Sequence, residues 1–177
     1  MDLPETLEER EVHRGWLRVV RRRLRHATGG VQEYEIVNPD SRSVCALVLD
    51  RRGEVVLVEL YRFGQGRRLL ELPAGAVEPG ESLEEAIRRE ILEETGYAGE
   101  LERIGSHFIA AEHGVTRHVF VARDCVPVAP PAPEPSEIDE GAVVRLVPLE
   151  RFRALVRGGE LTETGAAFMA LDRLGLL

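Results

Sequence analysis

The stretch from Ser82 to Gly96 constrains this chain more than any other. Ser82-Leu83-Glu84-Glu85 is a capping box, in which the serine caps a helix start and the glutamate three residues on reaches back to it. Gly96 supplies the stop. At about 100° per residue, Leu83, Ala86, Ile87 and Ile91 fall in one arc, which predicts a helix with an inward face. Glu90 and Glu94 fall in the middle of that arc, and Glu93 at its edge. An amphipathic helix should continue its stripe there with leucine or valine. Carboxylates on an inward face repel one another and lose hydration unless a cation or an arginine compensates. Oxygen-only ligands of this kind suit a hard divalent ion, Mg²⁺ or Mn²⁺. The alternative is a helix-surface arrangement in which Arg89, four residues from Glu85 and Glu93, pairs with them. Periodicity alone leaves both readings open.

Around that helix the chain reads as α+β, with strands in the middle and helices packed outside. Residues 1–11 are acidic and are expected to form a short helix or a loose arm. Strands are expected within residues 15–37, turned at Gly29-Gly30. A continuous apolar strand over 43–49 turns at Arg51-Arg52-Gly53 and returns over 54–61 as its hairpin partner. Further strands are predicted near 101–110 and 116–122. Residues 127–135 hold five of the ten prolines and are expected to be an extended loop. One more strand over 142–147 and two helices, 149–157 and 164–174, close the chain, the last opened by a Thr164 cap. With 177 residues the expectation is one domain, 1–177, in which about 1–38 form an N-terminal arm and strands.

Charge narrows the function. Acidic residues outnumber basic ones 31 to 23, a net −8 that argues against general nucleic-acid binding. Every basic residue is arginine, and the lack of lysine excludes a Walker A loop, a Schiff-base lysine and a Ser-Lys dyad. Cys45 and Cys125 lie far apart without metal-ligand spacing, so neither a disulfide framework nor a zinc cluster is expected. No apolar run is long enough for a bilayer and the start lacks a signal-peptide pattern, so no membrane partner is expected and the cytoplasm is the expected location.

Spacing adds a resemblance. Gly75, five residues, Glu81, seven residues, then Arg89-Glu90-Ile91-Leu92-Glu93-Glu94-Thr95-Gly96-Tyr97 resembles the Nudix box, G-x5-E-x7-R-E-U-x-E-E-x-G-U, with U bulky and apolar. Every fixed position is matched, and the last U is aromatic. Leu60-Tyr61-Arg62, Glu71-Leu72-Pro73-Ala74-Gly75 and the text from Val147 to Glu160 resemble the ADP-ribose pyrophosphatase branch. The resemblance implies a Nudix-type α/β/α sandwich with a mixed central sheet, plus N-terminal strands. It implies hydrolysis of a nucleoside diphosphate linked to another moiety, with Mg²⁺ or Mn²⁺ as cofactor and an ADP-sugar such as ADP-ribose as substrate. Carried over by position, Glu90 and Glu94 would be the principal metal ligands, Glu93 would share an ion or a water, and the Ala74 carbonyl would be a further ligand. Arg89 would orient the glutamates, Glu81 would be structural, and Gly75 and Gly96 would be shape residues. Arg62 would contact a phosphate or carboxyl group and Glu71 an adenine or ribose. The branch also implies a homodimer through the N-terminal strands.

A hydrolase of this kind needs a carboxylate to take the proton from water. In that branch it often comes from a loop after the box, and here the proline-rich loop ends Glu137-Ile138-Asp139-Glu140. Glu140 is the first candidate, Glu137 the second, and Glu93 of the box the next; a solvated acidic loop is the alternative. Trp16 could stack on a base, or serve as core or dimer contact. His107, His113 and His118 read as strand, loop or surface residues, and Arg18, Arg21, Arg22, Arg23 and Arg25 as anion attraction or as charge that blunts an edge strand. His113-Gly114 stands where many ADP-ribose enzymes carry Pro-Gly, which leaves sugar and base open. Other hydrolase substrates in view are GDP-mannose, dinucleoside polyphosphates and oxidised nucleoside triphosphates. From another class comes a ligand-binding module that no longer hydrolyses, against which stand all four box glutamates, Glu81, Glu90, Glu93 and Glu94.

Overall fold

Opposite charges build the first strands. In a computed structural model that describes residues 3–177, β1 (Glu5–Arg14), β2 (Arg18–Arg25) and β3 (Val31–Val37) form an antiparallel sheet in that order. Glu5 meets Arg25 at 2.9 Å, Glu11 meets Arg18 at 2.9 Å, Glu9 meets Arg22, and Glu35 meets Arg21 at 2.6 Å. Each exposed pair contributes at most about 1 kcal/mol, so the pairs set register more than stability. Where a helix or loose arm was expected over 1–11, a strand runs from Glu5 onward; Met1 and Asp2 lie outside the described residues. Its acidic run has no apolar period, and its partner is the arginine run of β2, a complementarity invisible in either segment alone. The described residues up to Arg42 join Phe108–Thr116 as one compact unit. There Val37 N–H donates to Glu112 O and Gly114 N–H to Val37 O, both at 2.9 Å.

The second unit comprises Ser43–His107 and Arg117–Leu177. It holds most of a seven-stranded sheet with the path β10-β5-β4-β9-β8, where β4 is Arg42–Asp50, β5 Val55–Arg62, β8 Tyr97–Phe108, β9 Thr116–Pro127 and β10 Val143–Val147. Alternate residues of β4 feed two different cores. Cys45 and Leu47 pack with α3 (Leu149–Gly158) and α4 (Thr164–Leu174), through Phe152, Leu155, Ala167 and Leu171. Val44, Ala46 and Val48 pack with α1 (Leu83–Thr95), through Ala86, Ile87 and Ile91. A strand buried on both faces reads as a continuous apolar run, which is why 43–49 shows no alternation. The layering is the expected α/β/α.

The hairpin of β4 and β5 pairs only next to its turn, Val48 with Val56 and Leu49 with Val55. Farther on, β5 takes β6 (Arg67–Glu71) as partner, with Val58 opposite Glu71, while β4 takes β7 (Ala74–Ala76), with Cys45 opposite Ala74. Pro73 crosses between them, where no ladder donor is needed, and its carbonyl accepts the Ala46 N–H at 3.0 Å. Neither β6 nor β7 carries a strand pattern, so both are additions to the sequence reading. This exchange of partners brings Glu71 and Ala74 to the same wall.

Two further expectations are corrected. The segment after the prolines is a five-residue helix, α2 (Pro135–Asp139), where only a loop was expected; Pro135 opens it with a preset φ and no donor to lose. The cap of α4 is Glu163, and the Thr164 hydroxyl instead donates to Leu161 O at 2.7 Å. The capping box of α1 forms as predicted, with Ser82 at the N-cap and Gly96 in the left-handed region at φ 74°. No helix among the described residues is long and apolar enough to cross a membrane.

Candidate active site

Carboxylates of α1 and α2 converge. Glu94, 8% exposed, accepts the Ala74 N–H at 3.3 Å and faces Glu90 and Glu137. Burial first, then the charges of Glu137 and Glu90, push its carboxyl well above the ordinary range. Burial also raises Glu90, against the opposing pull of Arg89. Glu90 lies directly against Gly75: a Cβ there would come within 1.8 Å of Glu90 Oε1, so only glycine admits this approach. Arg89 is spent on the flank of the group. Its Nε and Nη2 donate to Glu81 at 3.0 and 3.1 Å, its Nη1 to Glu90 at 2.8 Å and Glu93 at 3.2 Å, and its Nη2 also to Ala76 O at 3.1 Å. Those bonds hold Glu81 below the usual carboxylate range. Among the described residues no arginine side chain is seen hydrogen-bonded to Glu94, whose partners are the Ala74 N–H and the Glu137 carboxyl.

Glu94 and Glu137 line a cavity of about 80 Å³ together with Arg62, Glu71, Arg117 and Glu163. Arg62 Nε and Nη2 donate to the two oxygens of Glu71 at 2.8 and 2.6 Å, and Nη1 to Glu140 at 2.9 Å. Arg117 Nη1 donates to Glu163 at 2.7 Å and Nε to Ser43 Oγ at 3.2 Å. Burial raises the Glu163 carboxyl against the pull of Arg117. Four carboxyl groups and two guanidiniums line these walls, a formal excess of two negative charges when every carboxyl is ionised. A divalent cation fits that excess and the oxygen-only donors around it. Among the described residues no three His, Cys, Asp or Glu side chains already close into a finished cage; Arg89 occupies an oxygen of Glu90 and of Glu93.

The NUDIX domain pattern matches residues 39–164. The chain belongs to the Nudix family. The ADP-ribose pyrophosphatase of Bacillus subtilis (strain 168) is 32% identical over 146 residues, 79% of this chain and 75% of that protein. The ADP-ribose pyrophosphatase of Mycobacterium tuberculosis (strain ATCC 25618 / H37Rv) is 35% identical over 94 residues, 52% of this chain and 45% of that one. A crystal structure of an ADP compounds hydrolase aligns over 100% of this chain and 98% of its own with a TM-score of 0.80; at 23% identity this is a likeness of fold.

In this Nudix hydrolase the sequence-expected residues divide. Glu81, Arg89, Glu90, Glu93, Glu94, Gly75 and Ala74 lie together at the box, and Gly96 ends it. A Cβ on Gly96 would come within 2.2 Å of Ala129 O, so that glycine both stops α1 and admits the proline-rich arm. The two loop candidates lie in different surroundings. Glu137 faces the box carboxylates, whereas Glu140 sits on Arg62, because the turn of α2 directs the first inward and its end returns to β5. Arg62 and Glu71, expected as substrate contacts, are paired with each other. Trp16 lies in the N-terminal unit, 91% exposed at the β1–β2 turn, and is not among the cavity residues. Sequence reading passed over Arg117 and Glu163 altogether; the first sits in an ordinary strand pattern and the second beside a helix start, and neither belongs to a motif.

Proposed function

We propose that this Nudix hydrolase splits the pyrophosphate of a nucleoside diphosphate sugar, ADP-ribose first among them, to AMP and a sugar phosphate, with Mg²⁺ or Mn²⁺ as cofactor. The observation that carries the reading is the meeting of buried Glu94 with half-buried Glu90 and Glu137, beside a cavity where carboxyl groups outnumber guanidiniums four to two. The names of its relatives, ADP-ribose pyrophosphatases, support the substrate. Glu90 and Glu94 hold the ion in this reading, with Glu93 and the Ala74 carbonyl as further oxygen donors. When bound there, a divalent ion would supply neutralisation of the pyrophosphate oxygens, a more acidic attacking water and stabilisation of charge on the departing phosphate. Glu137 takes the proton of that water. It comes from outside the box, faces Glu94, and is fixed in rotamer by the Glu134 N–H, which donates to its Oε2 at 2.9 Å. Arg89 and Glu81 brace the ligands from the side, while Arg62 and Glu71 stiffen the cavity wall.

The test is phosphate release, through a coupled phosphatase, from a panel of nucleoside diphosphate compounds with Mg²⁺. ADP-ribose is expected to turn over at least tenfold faster than GDP-mannose or diadenosine polyphosphates, about the discrimination of a few well-placed contacts. Equal rates across the panel remove the ADP-ribose assignment.

The N-terminal sheet supports a homodimer. Every residue of β1 is exposed, and Leu7 and Val12 of β1 and Val31 and Tyr34 of β3 lie open on the sheet. A small sheet with so little covered face needs a partner to be stable. Sedimentation velocity is expected to give twice the mass of the chain, and a monomer at micromolar concentration rejects this. Both cysteines are free and buried, which suits the reducing cytoplasm as the proposed compartment.

A further inference from the structure

α2 is too short to place itself. A five-residue helix has no stability of its own, and none of its residues is buried. Yet its Glu137 lines the same cavity as Glu94 of the box, so any swing of α2 moves that carboxylate relative to the box. Something outside α2 must fix its place.

Its two ends are tied to different walls of the unit. On the N-terminal side, Ala132 N–H donates to Glu93 O at 2.7 Å, and Val128 and Ala129 N–H to Gly96 O at 2.9 and 3.2 Å. These bonds fasten the proline-rich arm to the last turn of α1, the helix that bears Glu90 and Glu94. On the C-terminal side, Tyr61 N–H donates to Glu140 O at 2.9 Å, Arg68 Nη2 to Gly141 O at 2.7 Å, and Arg62 Nη1 to Glu140 Oε2 at 2.9 Å. The last is the one ion pair of the set. Arg62 is immobilised by its two bonds to Glu71, itself 5% exposed, so its third donor is a fixed point to which Glu140 must come.

We infer that Arg62 and Glu140 are positioning residues: their ion pair holds the C-terminal end of α2 against β5 and so keeps Glu137 aimed at the reacting water. This rests on the reading of Glu137 as the base. The described side-chain partner of Glu140 is Arg62. What it contributes is an acceptor for Arg62, and its formal charge is secondary to that contact. Misplacing a reacting group by about an ångström costs up to about a hundredfold in rate, so a loosened α2 is felt in kcat.

The experiment compares Glu140→Gln and Glu140→Ala in the full chain, using the fastest compound of the panel with Mg²⁺ and hydrogen exchange of the segment 134–142. Glutamine keeps an oxygen acceptor for Arg62. Glu140→Gln is expected to stay within about fourfold of the wild-type kcat and to retain protection of the segment. Glu140→Ala is expected to lose about ten- to a hundredfold in kcat with KM changed less than about threefold, and to exchange faster over 134–142. Three results overturn the proposal: a glutamine variant as slow as the alanine one, since charge at 140 would then act directly; wild-type rates in both; or a slow alanine variant with unchanged exchange. Glu137→Gln, run beside them, separates the two ideas. If it keeps full activity the base assignment fails, whereas if it is dead and both Glu140 variants are normal only the positioning role fails.

Discussion

Glu94→Gln is expected to bring turnover below a tenth of the wild-type rate at saturating Mg²⁺, and as far as about a thousandfold down if several kcal/mol of transition-state stabilisation go with the ligand. The protein should nevertheless fold. Glutamine is nearly isosteric with glutamate, and its carbonyl oxygen can still accept the Ala74 N–H. Stability without metal should rise. Burial and two neighbouring carboxylates raise the Glu94 pKa above its ordinary value of 4.5, so the folded state holds that proton more tightly than the unfolded chain. Such a group contributes stability that is present below 4.5 and is lost as pH climbs through the raised folded value. In EDTA at neutral pH the variant should therefore melt above the wild type, and the gap should close as pH falls toward 4.5. Mg²⁺ should invert the order, because a ligand that binds only the folded wild type stabilises it by mass action. Scanning calorimetry with EDTA and with Mg²⁺ reads both signs. A variant that keeps more than a tenth of the rate, or one stabilised by Mg²⁺ as strongly as wild type, rejects Glu94 as a ligand.

How much of this was legible in sequence depended on whether the signal was local. Helix α1 was, from its Ser82 cap to its Gly96 stop, because capping and periodicity act within a few residues. The placement of Glu90 and Glu94 on its inward arc followed from the same arithmetic. Strand β1 was not, since its register is set by arginines more than ten residues away. Strands β6 and β7 were missed for a related reason: they exist because β4 and β5 part, and nothing in Arg67-Arg68 or Gly75 announces it. The deepest miss was α2. Proline content correctly marked its approach as irregular, but whether Glu137 or Glu140 turns inward depends on Arg62, a residue 78 positions before Glu140. Arg117 and Glu163 were invisible for the same cause, as their pairing joins β9 to the start of α4. Residue type was readable at every one of these positions. Partnership was not.

Glu137→Gln is the test where partnership decides the chemistry. The variant is expected to lose about 10²- to 10⁴-fold in kcat, the usual cost of a general base, with KM changed only a few-fold because the base acts mainly in the transition state. Its fold should survive, since glutamine can still accept the Glu134 N–H that fixes the side chain, and one of the like charges facing Glu94 is removed. Metal-free stability should therefore rise, though by less than in Glu94→Gln, because Glu137 is the more exposed of the two. Steady-state kinetics on Glu137→Gln and Glu140→Gln together locate the proton acceptor. If the Glu140 variant is the dead one, the inward geometry of Glu137 is incidental and Glu140 must leave Arg62 to act. If neither variant loses tenfold, the acceptor lies in the box itself. Glu93 is then the next candidate, since the bond from Arg89 Nη1 occupies only one of its oxygens and leaves the other available for a proton.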